Sequence, residues 1–279
     1  MSCLVKMRAV REELSANEKK IADFILRNAA LIRDYSSQNL AASVGVSQSS
    51  IIKFSQKLNY RGFTDLKLAI HESVVMSGND DYPDVSGQVG DDRADSIREQ
   101  LFRIKTESLV TTMELNDEAR ILSAVDVLER SQRVQIIALG SGSLVARNFA
   151  TMLIQIGKSV IAEVDTYIQL SSIATLGKGD AVFVISFSGQ SAKMIHMVQQ
   201  AKKAGVTTIS LTNYSANPIR SLADVPLFSV SREGEIDAPQ IISSASQQHV
   251  VDVLFSSMVQ RSRKSKELLA LSRKAVESL

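Results

Sequence analysis

Apolar runs at 134–139, 159–164, 181–186 and 206–211 punctuate the second half of the chain, with stretches of helical length between them. This alternation limits the possible folds more sharply than any other feature. Strand and helix recurring on such a spacing predict an α/β architecture: a doubly wound parallel sheet of flavodoxin-like type with right-handed crossovers. A weaker run at 225–230 offers a fifth strand. Helices are expected at 144–156 and 192–204, the latter closed by Gly205 as a left-handed cap. Two further helical segments, 96–113 and 117–130, precede the first strand.

Ligands of such sheets bind beyond the carboxyl ends of the strands. Two loops fall there: Gly140, Ser141, Gly142 and Ser143 after the first strand, and Ser186, Ser188, Gly189, Gln190 and Ser191 after the third. Both are rich in hydroxyls, contain glycine and open a helix. Neutral hydroxyls and backbone N–H groups at the positive end of a helix suit a phosphate, each dipole contribution amounting to about 0.3–1 kcal/mol. One such loop is equally a helix cap; a pair at one sheet edge favours a binding site. Gly140 and Gly142, with Glu163 at the end of the second strand, also fit part of a dinucleotide fingerprint, yet Val145 stands where its third glycine belongs. Sugar phosphate is the expected ligand, ahead of nucleotide.

The first 76 residues read as an all-α unit. Ser15 and Glu18 have capping-box spacing. A helix over 37–43, the turn Val44-Gly45-Val46 and a second helix capped by Ser47 make a helix-turn-helix pattern, with Gly45 free to take positive φ. Ile51, Phe54 and Leu58 form the inner stripe of the second helix; Ser49, Lys53 and Gln56 point away, flanked by Gln48, Ser50 and Lys57. From Tyr35 to Thr64 there is no acid and there are three bases, Lys53, Lys57 and Arg61. A face free of carboxylates suits a polyanion. The expected partner is a double-stranded DNA operator, met in the major groove by Ser47, Gln48, Ser49, Ser50, Lys53 and Lys57, with Ser37 and Gln38 of the preceding helix as further candidates. The bland alternative is a solvated helix face. Ile52, at the rim, is expected to pack on the helix over 63–72 rather than meet a thymine methyl.

The net charge of +2 conceals an uneven distribution. Residues 1–76 hold eleven Lys or Arg against seven Asp or Glu, whereas 77–95 hold six acids and one base among Gly, Pro and Ser. The expected organisation is a DNA-binding domain at 1–76, an acidic flexible linker at 77–95 and a ligand-binding domain at 96–279. No apolar run approaches the ~20 residues of a membrane span. The N-terminus turns charged too early for a secretory signal. The single Cys3 excludes an internal disulfide. A cytoplasmic protein without metal or cofactor is expected.

VSQSSIIKFSQKL followed by RGF, and SFSGQS after a hydrophobic strand, resemble the RpiR family of regulators, in which a helix-turn-helix domain precedes a sugar isomerase (SIS) domain. The likeness covers most of the chain. EVDTYIQ (163–169) and SLVARN (143–148) are similar to the branch that responds to N-acetylmuramic acid 6-phosphate. The resemblance implies a homodimeric or homotetrameric regulator, a repressor by the family's habit, whose SIS domain binds a phosphosugar. It gives Ser186, Ser188 and Ser191 the phosphate, with help from Gly140, Ser141, Gly142 and Ser143. Relatives commonly place Ser where this chain has Gly142.

A phosphosugar isomerase is the competing expectation, because the SIS fold also supports such enzymes. Isomerisation needs a base beside the substrate carbons, and Glu163, Asp165 and His249 are the candidates by position. Against it, a DNA-binding head is an odd load for a metabolic enzyme. The expected mechanism is allosteric, with ligand shifting subunit geometry and thereby head spacing. The final segment, 264–279, is expected to be an oligomer contact or a frayed end.

Overall fold

The computed structural model describes residues 2–77, 96–230 and 239–277. They divide into two compact units, Met1–Arg103 and Ile104–Leu279. Apart from Ser77, the acidic stretch expected as a linker lies outside the described residues.

The first unit is a helical head: α1 (Cys3–Val10), α2 (Ala16–Arg27), α3 (Ser37–Val44), α4 (Gln48–Lys57) and α5 (Phe63–Ser77), with 3-10 turns at Arg11–Glu13 and Ala29–Asp34. The capping box forms, the Ser15 N–H donating to Glu18 Oε2 at 2.8 Å. α3 stops because Gly45 turns left-handed, at φ 74°, and its N–H bonds back to Ala41 O. Ile51, Phe54 and Leu58 are buried with Ile21, Ile25, Leu40, Leu66 and Ile70 in one core, so the inner stripe of α4 is as the helical period predicts. Ile52 departs from expectation. Its side chain is 39% exposed and outside that core, since α5 packs on the 51/54/58 face and leaves the next position to solvent.

The second unit runs α6 (Ile97–Leu115), α7 (Glu118–Arg130), β1 (Arg133–Ala138), α8 (Gly142–Gln155), β2 (Ser159–Ile161), α9 (Thr166–Ile173), β3 (Ala181–Ile185), α10 (Ala192–Lys203), β4 (Thr207–Thr212), α11 (Pro218–Leu222), β5 (Val225–Phe228), α12 (Pro239–Arg261) and α13 (Arg263–Glu277), the division between the units falling within α6. The five strands are parallel in the order β2-β1-β3-β4-β5, the flavodoxin-like winding. Ile136, Phe183 and Leu227 pack with α7, α8 and α12 on one face; Ile137, Val182 and Val184 pack with α9, α10 and α11 on the other. A sheet covered on both sides explains why its strands read as unbroken apolar runs.

Two boundaries differ from expectation. α8 begins at Gly142, so half of the first loop belongs to a helix. β2 ends at Ile161, not 164, because the buried Gln169 amide pulls the chain out of the ladder: Nε2 donates to Glu163 O at 2.8 Å and to Val164 O and Ala138 O at 3.2 Å.

The outer margin of β5 is closed by side chains spaced four apart. Arg120 Nη1 donates to Pro226 O at 2.9 Å, Asn116 both accepts from Phe228 N (2.8 Å) and donates to Phe228 O (2.7 Å), and Thr112 Oγ1 accepts from Val230 N (3.1 Å). An edge strand's unpaired groups are thereby satisfied without a further strand.

Candidate functional site

Each unit carries one candidate site. On the head, α4 starts at Ser47, whose Oγ accepts from the Ser50 N–H at 3.2 Å. The Ser47 hydroxyl also lies 2.8 Å from those of Ser49 and Ser50. Gln48 Nε2 donates to Ser37 Oγ at 2.9 Å, tying the start of α4 to the start of α3. Gln38, Ser47, Gln48, Ser49, Lys53, Gln56 and Lys57 are exposed, with Ser37 and Ser50 half-buried. The hydrogen-bonding groups thus gather at the N-terminal end of an exposed helix, where a groove-entering element carries its readers.

The two lysines are not equivalent. Lys53 has no ion pair among the described residues, whereas Lys57 Nζ lies 2.7 Å from Glu18 Oε2. The stretch without acids is therefore less free of negative charge in space than along the chain, because α2 brings Glu18 to it. Burial pushes the Glu18 carboxyl up, but hydrogen bonds from Lys57 and Ser15 outweigh it and hold the group below the usual carboxylate range. A cation so neutralised has less charge to give a phosphate.

In the body, the winding reverses between β1 and β3. These neighbours pair through Ala138↔Ile185, and both candidate loops leave the sheet directly after that pair. Strands in register lie about 4.8 Å apart, so Gly140–Ser143 and Ser186–Ser191 open side by side at the switch point. In the first loop Gly140 is left-handed, at φ 61°, and Ser143 Oγ donates back to Gly140 O at 2.6 Å. A side chain at Gly142 would meet Ile185 at an ordinary 3.5 Å.

The second loop is braced more tightly. A Cβ at Gly189, itself at φ 65°, would fall 2.0 Å from Asn217 Oδ1. Asn217 cannot yield, since its Nδ2 donates to Thr212 Oγ1, Asn213 Oδ1 and Ser215 O, while Oδ1 accepts from Arg220 N at 2.8 Å. Phe187 O accepts from Asn213 N at 2.7 Å, completing the clamp. The hydroxyls of Ser186 and Ser191 make no hydrogen bond among the described residues, and Ser191 precedes α10 without capping it. Ser188 Oγ accepts from Gln190 N at 3.3 Å, leaving its O–H to donate outward.

Of the carboxylates, Asp165 accepts from Ile168 N at 2.9 Å as the N-cap of α9. Glu163 is exposed in the loop beyond β2, and His249 is half-buried in α12. Sequence pattern alone does not single out Asn217, Gln169 or Arg220. Asn217-Pro218 is a helix-start signal that could have been read; a buried glutamine within a helix gives none.

Residues 1–77 match the helix-turn-helix domain of the rpiR family, and residues 127–257 match the SIS domain. The chain has the two-domain architecture of an RpiR-family regulator. The Vibrio vulnificus NanR protein, solved in complex with ManNAc-6P, is 25% identical to this chain, with a TM-score of 0.62 over 99% of this chain and 98% of its own. The sugar isomerase domain of an RpiR transcription factor from Sphaerobacter thermophilus matches 66% of this chain with 100% of its own, at 22% identity and a TM-score of 0.58. A ligand-bound protein of E. coli CFT073 is 19% identical and has a TM-score of 0.54, matching 65% of this chain with 100% of its own. These last two likenesses speak for the fold.

Proposed function

We propose that this chain is a DNA-binding transcription regulator whose head, 1–76, reads an operator and whose body, 96–279, senses a sugar phosphate, the two joined through 77–95 and acting in the cytoplasm. The observation that carries the sensor assignment is the pair of loops at the β1/β3 switch point, where the hydroxyls of Ser186, Ser188 and Ser191 donate to nothing among the described residues. The 25% identity to NanR in its ManNAc-6P complex favours an amino-sugar phosphate, N-acetylmuramic acid 6-phosphate among them. Thermal shift of the full chain against ManNAc-6P, N-acetylmuramic acid 6-phosphate, glucose 6-phosphate and inorganic phosphate tests it, since a ligand of the native state raises the melting point. Stabilisation by a phosphosugar that Ser188→Ala removes is the expected result; no response to any phosphosugar would end the sensor assignment.

A route from the loops to the end of α6 supports allosteric control of operator binding. Gly189 O accepts from Ile219 N at the start of α11, and Arg220 in the same helix lies over the Phe228 ring at 4.9 Å. Phe228 is clasped by Asn116 at the end of α6, the helix that enters the body from the head side of the sequence. Ligand-driven motion of the second loop would reach α6 through packed groups. In a homodimer or homotetramer, two heads would engage half-sites about 34 Å apart, with repression relieved by ligand.

The absence of catalysis belongs to the same proposal. The Asp165 carboxylate is occupied in capping α9, which leaves Glu163 without an acid partner nearby in sequence. Turnover of a phosphosugar that Glu163→Gln abolishes would show an isomerase instead.

A further inference from the structure

Gln169 of α9 is fully buried, and its amide nitrogen faces three carbonyl oxygens: Glu163 O at 2.8 Å, with Ala138 O and Val164 O at 3.2 Å. Three acceptors around one group fix the orientation of the amide, because its oxygen would be repelled there. That oxygen, Oε1, is buried without a hydrogen-bond partner among the described residues. The same holds for Oε1 of Gln135, whose nitrogen donates to Gln169 O at 2.8 Å. A bare buried acceptor is unfavourable. The side chain is therefore placed for what its nitrogen does.

The three acceptors mark the place where a ladder stops. β1 and β2 pair through Arg133↔Ser159, Val134↔Val160 and Gln135↔Ile161. Carried on in that register, Ile137 would meet Glu163 and Ala138 would meet Val164. Paired residues of a parallel ladder share a face. The Glu163 carboxylate would then enter the layer that holds Ile137, Val182 and Val184, where an unpaired charge is strongly disfavoured. The Gln169 amide stands between the two chains instead. It bonds both Ala138 O and Val164 O, ends the ladder and leaves Glu163 exposed at the carboxyl edge of the sheet. One side chain thus ties Glu163 to Ala138, two residues before the Gly140–Ser143 loop.

We propose that Gln169 is a positioning residue of the sugar-phosphate site, and that Glu163 is the specificity determinant it positions. The amide holds the carboxylate beside the first loop, where it accepts hydrogen bonds from hydroxyl or N–H groups of the sugar while the second loop holds the phosphate. This rests on the sensor reading of the two loops. The Glu163 side chain makes no hydrogen bond or ion pair among the described residues, so its oxygens are available. A carboxylate there only accepts, and its charge strengthens the bond. It favours a sugar that presents a donor to it and rejects an epimer or deoxy sugar that does not.

Calorimetric titration of the full chain with ManNAc-6P, glucose 6-phosphate and inorganic phosphate tests both roles. The wild type should prefer one phosphosugar to the other. Gln169→Met, close in shape, should shrink that preference about tenfold, while affinity for inorganic phosphate falls far less. Glu163→Ala should act in the same way, and the double variant should be no worse than either single one, because Gln169 works through Glu163. A residue that only supports the fold would lower all three affinities together and add its loss to that of Glu163→Ala. Either of those results would overturn the proposal. Should Gln169→Met fail to fold, Glu163→Ala decides alone, and an unchanged preference overturns it. A wild type that binds both phosphosugars alike would overturn this proposal and leave the sensor reading standing; one that binds none of the three compounds would end both.

Discussion

Lys53 and Lys57 lie one helical turn apart, yet only one of them is free to neutralise a phosphate. Lys53→Ala should weaken DNA binding in a gel shift and lower the salt dependence by about one released counterion. Lys57→Ala should cost less, because Glu18 already holds that ammonium at 2.7 Å; equal losses would count against the distinction. The glycines at the other site diverge in the same way. Gly189→Ala puts a methyl into Asn217 at a positive φ, a strain of roughly 1–3 kcal/mol, and should abolish the ligand response. Gly142→Ser meets only ordinary contacts and should leave the melting temperature unchanged. Little of this contrast was legible beforehand. Sequence shows a hydroxyl-rich loop containing glycine, but which glycine is indispensable depends on Asn217, 28 positions along the chain from Gly189. Pairing between Lys57 and Glu18 was hidden likewise, by a separation of 39 positions.

Helices and strands were far more readable than their ends. Unbroken apolar runs and the 3.6-residue period report burial, and burial decides which segments form, so all five strands and the helix-turn-helix stand where those patterns put them, their ends apart. Ends are decided by single polar groups from elsewhere, as Gln169 does in stopping β2. Such groups also determine stability. Asn116→Leu would leave the buried Phe228 N–H and C=O without partners, a loss of about 1–3 kcal/mol for each group; denaturant melts should show it, with faster hydrogen exchange at Phe228 and Val230. At the opposite end of the sheet, Arg133 grips Asp180 (Nη2–Oδ2 2.6 Å), which also accepts from Gly177 N at 3.0 Å. The hydrogen bond from Arg133 holds this carboxyl below its ordinary value, against the effect of burial. A depressed native value means the stabilisation is complete at neutral pH. It begins to fade as pH nears the ordinary aspartate value of about 3.9 and is lost once pH falls through the lower native value. Wild type and Asp180→Asn should therefore differ in melting temperature at neutral pH and converge in acid.

For the molecule as a regulator, the decisive quantity is the coupling between its two sites. Linkage requires operator DNA to change phosphosugar affinity by the same factor as phosphosugar changes operator affinity, roughly 5- to 150-fold for a coupling of ~1–3 kcal/mol. Calorimetric titration with and without operator should find that factor in both directions. Arg220→Gln should shrink it while both separate affinities persist, because the side chain over Phe228 touches neither candidate site. The closed margin of β5 has a wider consequence. Thr112, Asn116 and Arg120 occupy the hydrogen-bonding groups that a foreign strand would need to dock, and β2 at the other margin is three residues long. Fibril-like stacking and strand exchange between molecules are thereby discouraged at the crowded concentrations of a cell, and quaternary contacts are left to helical surfaces, whose geometry can shift by small rotations without tearing a ladder apart.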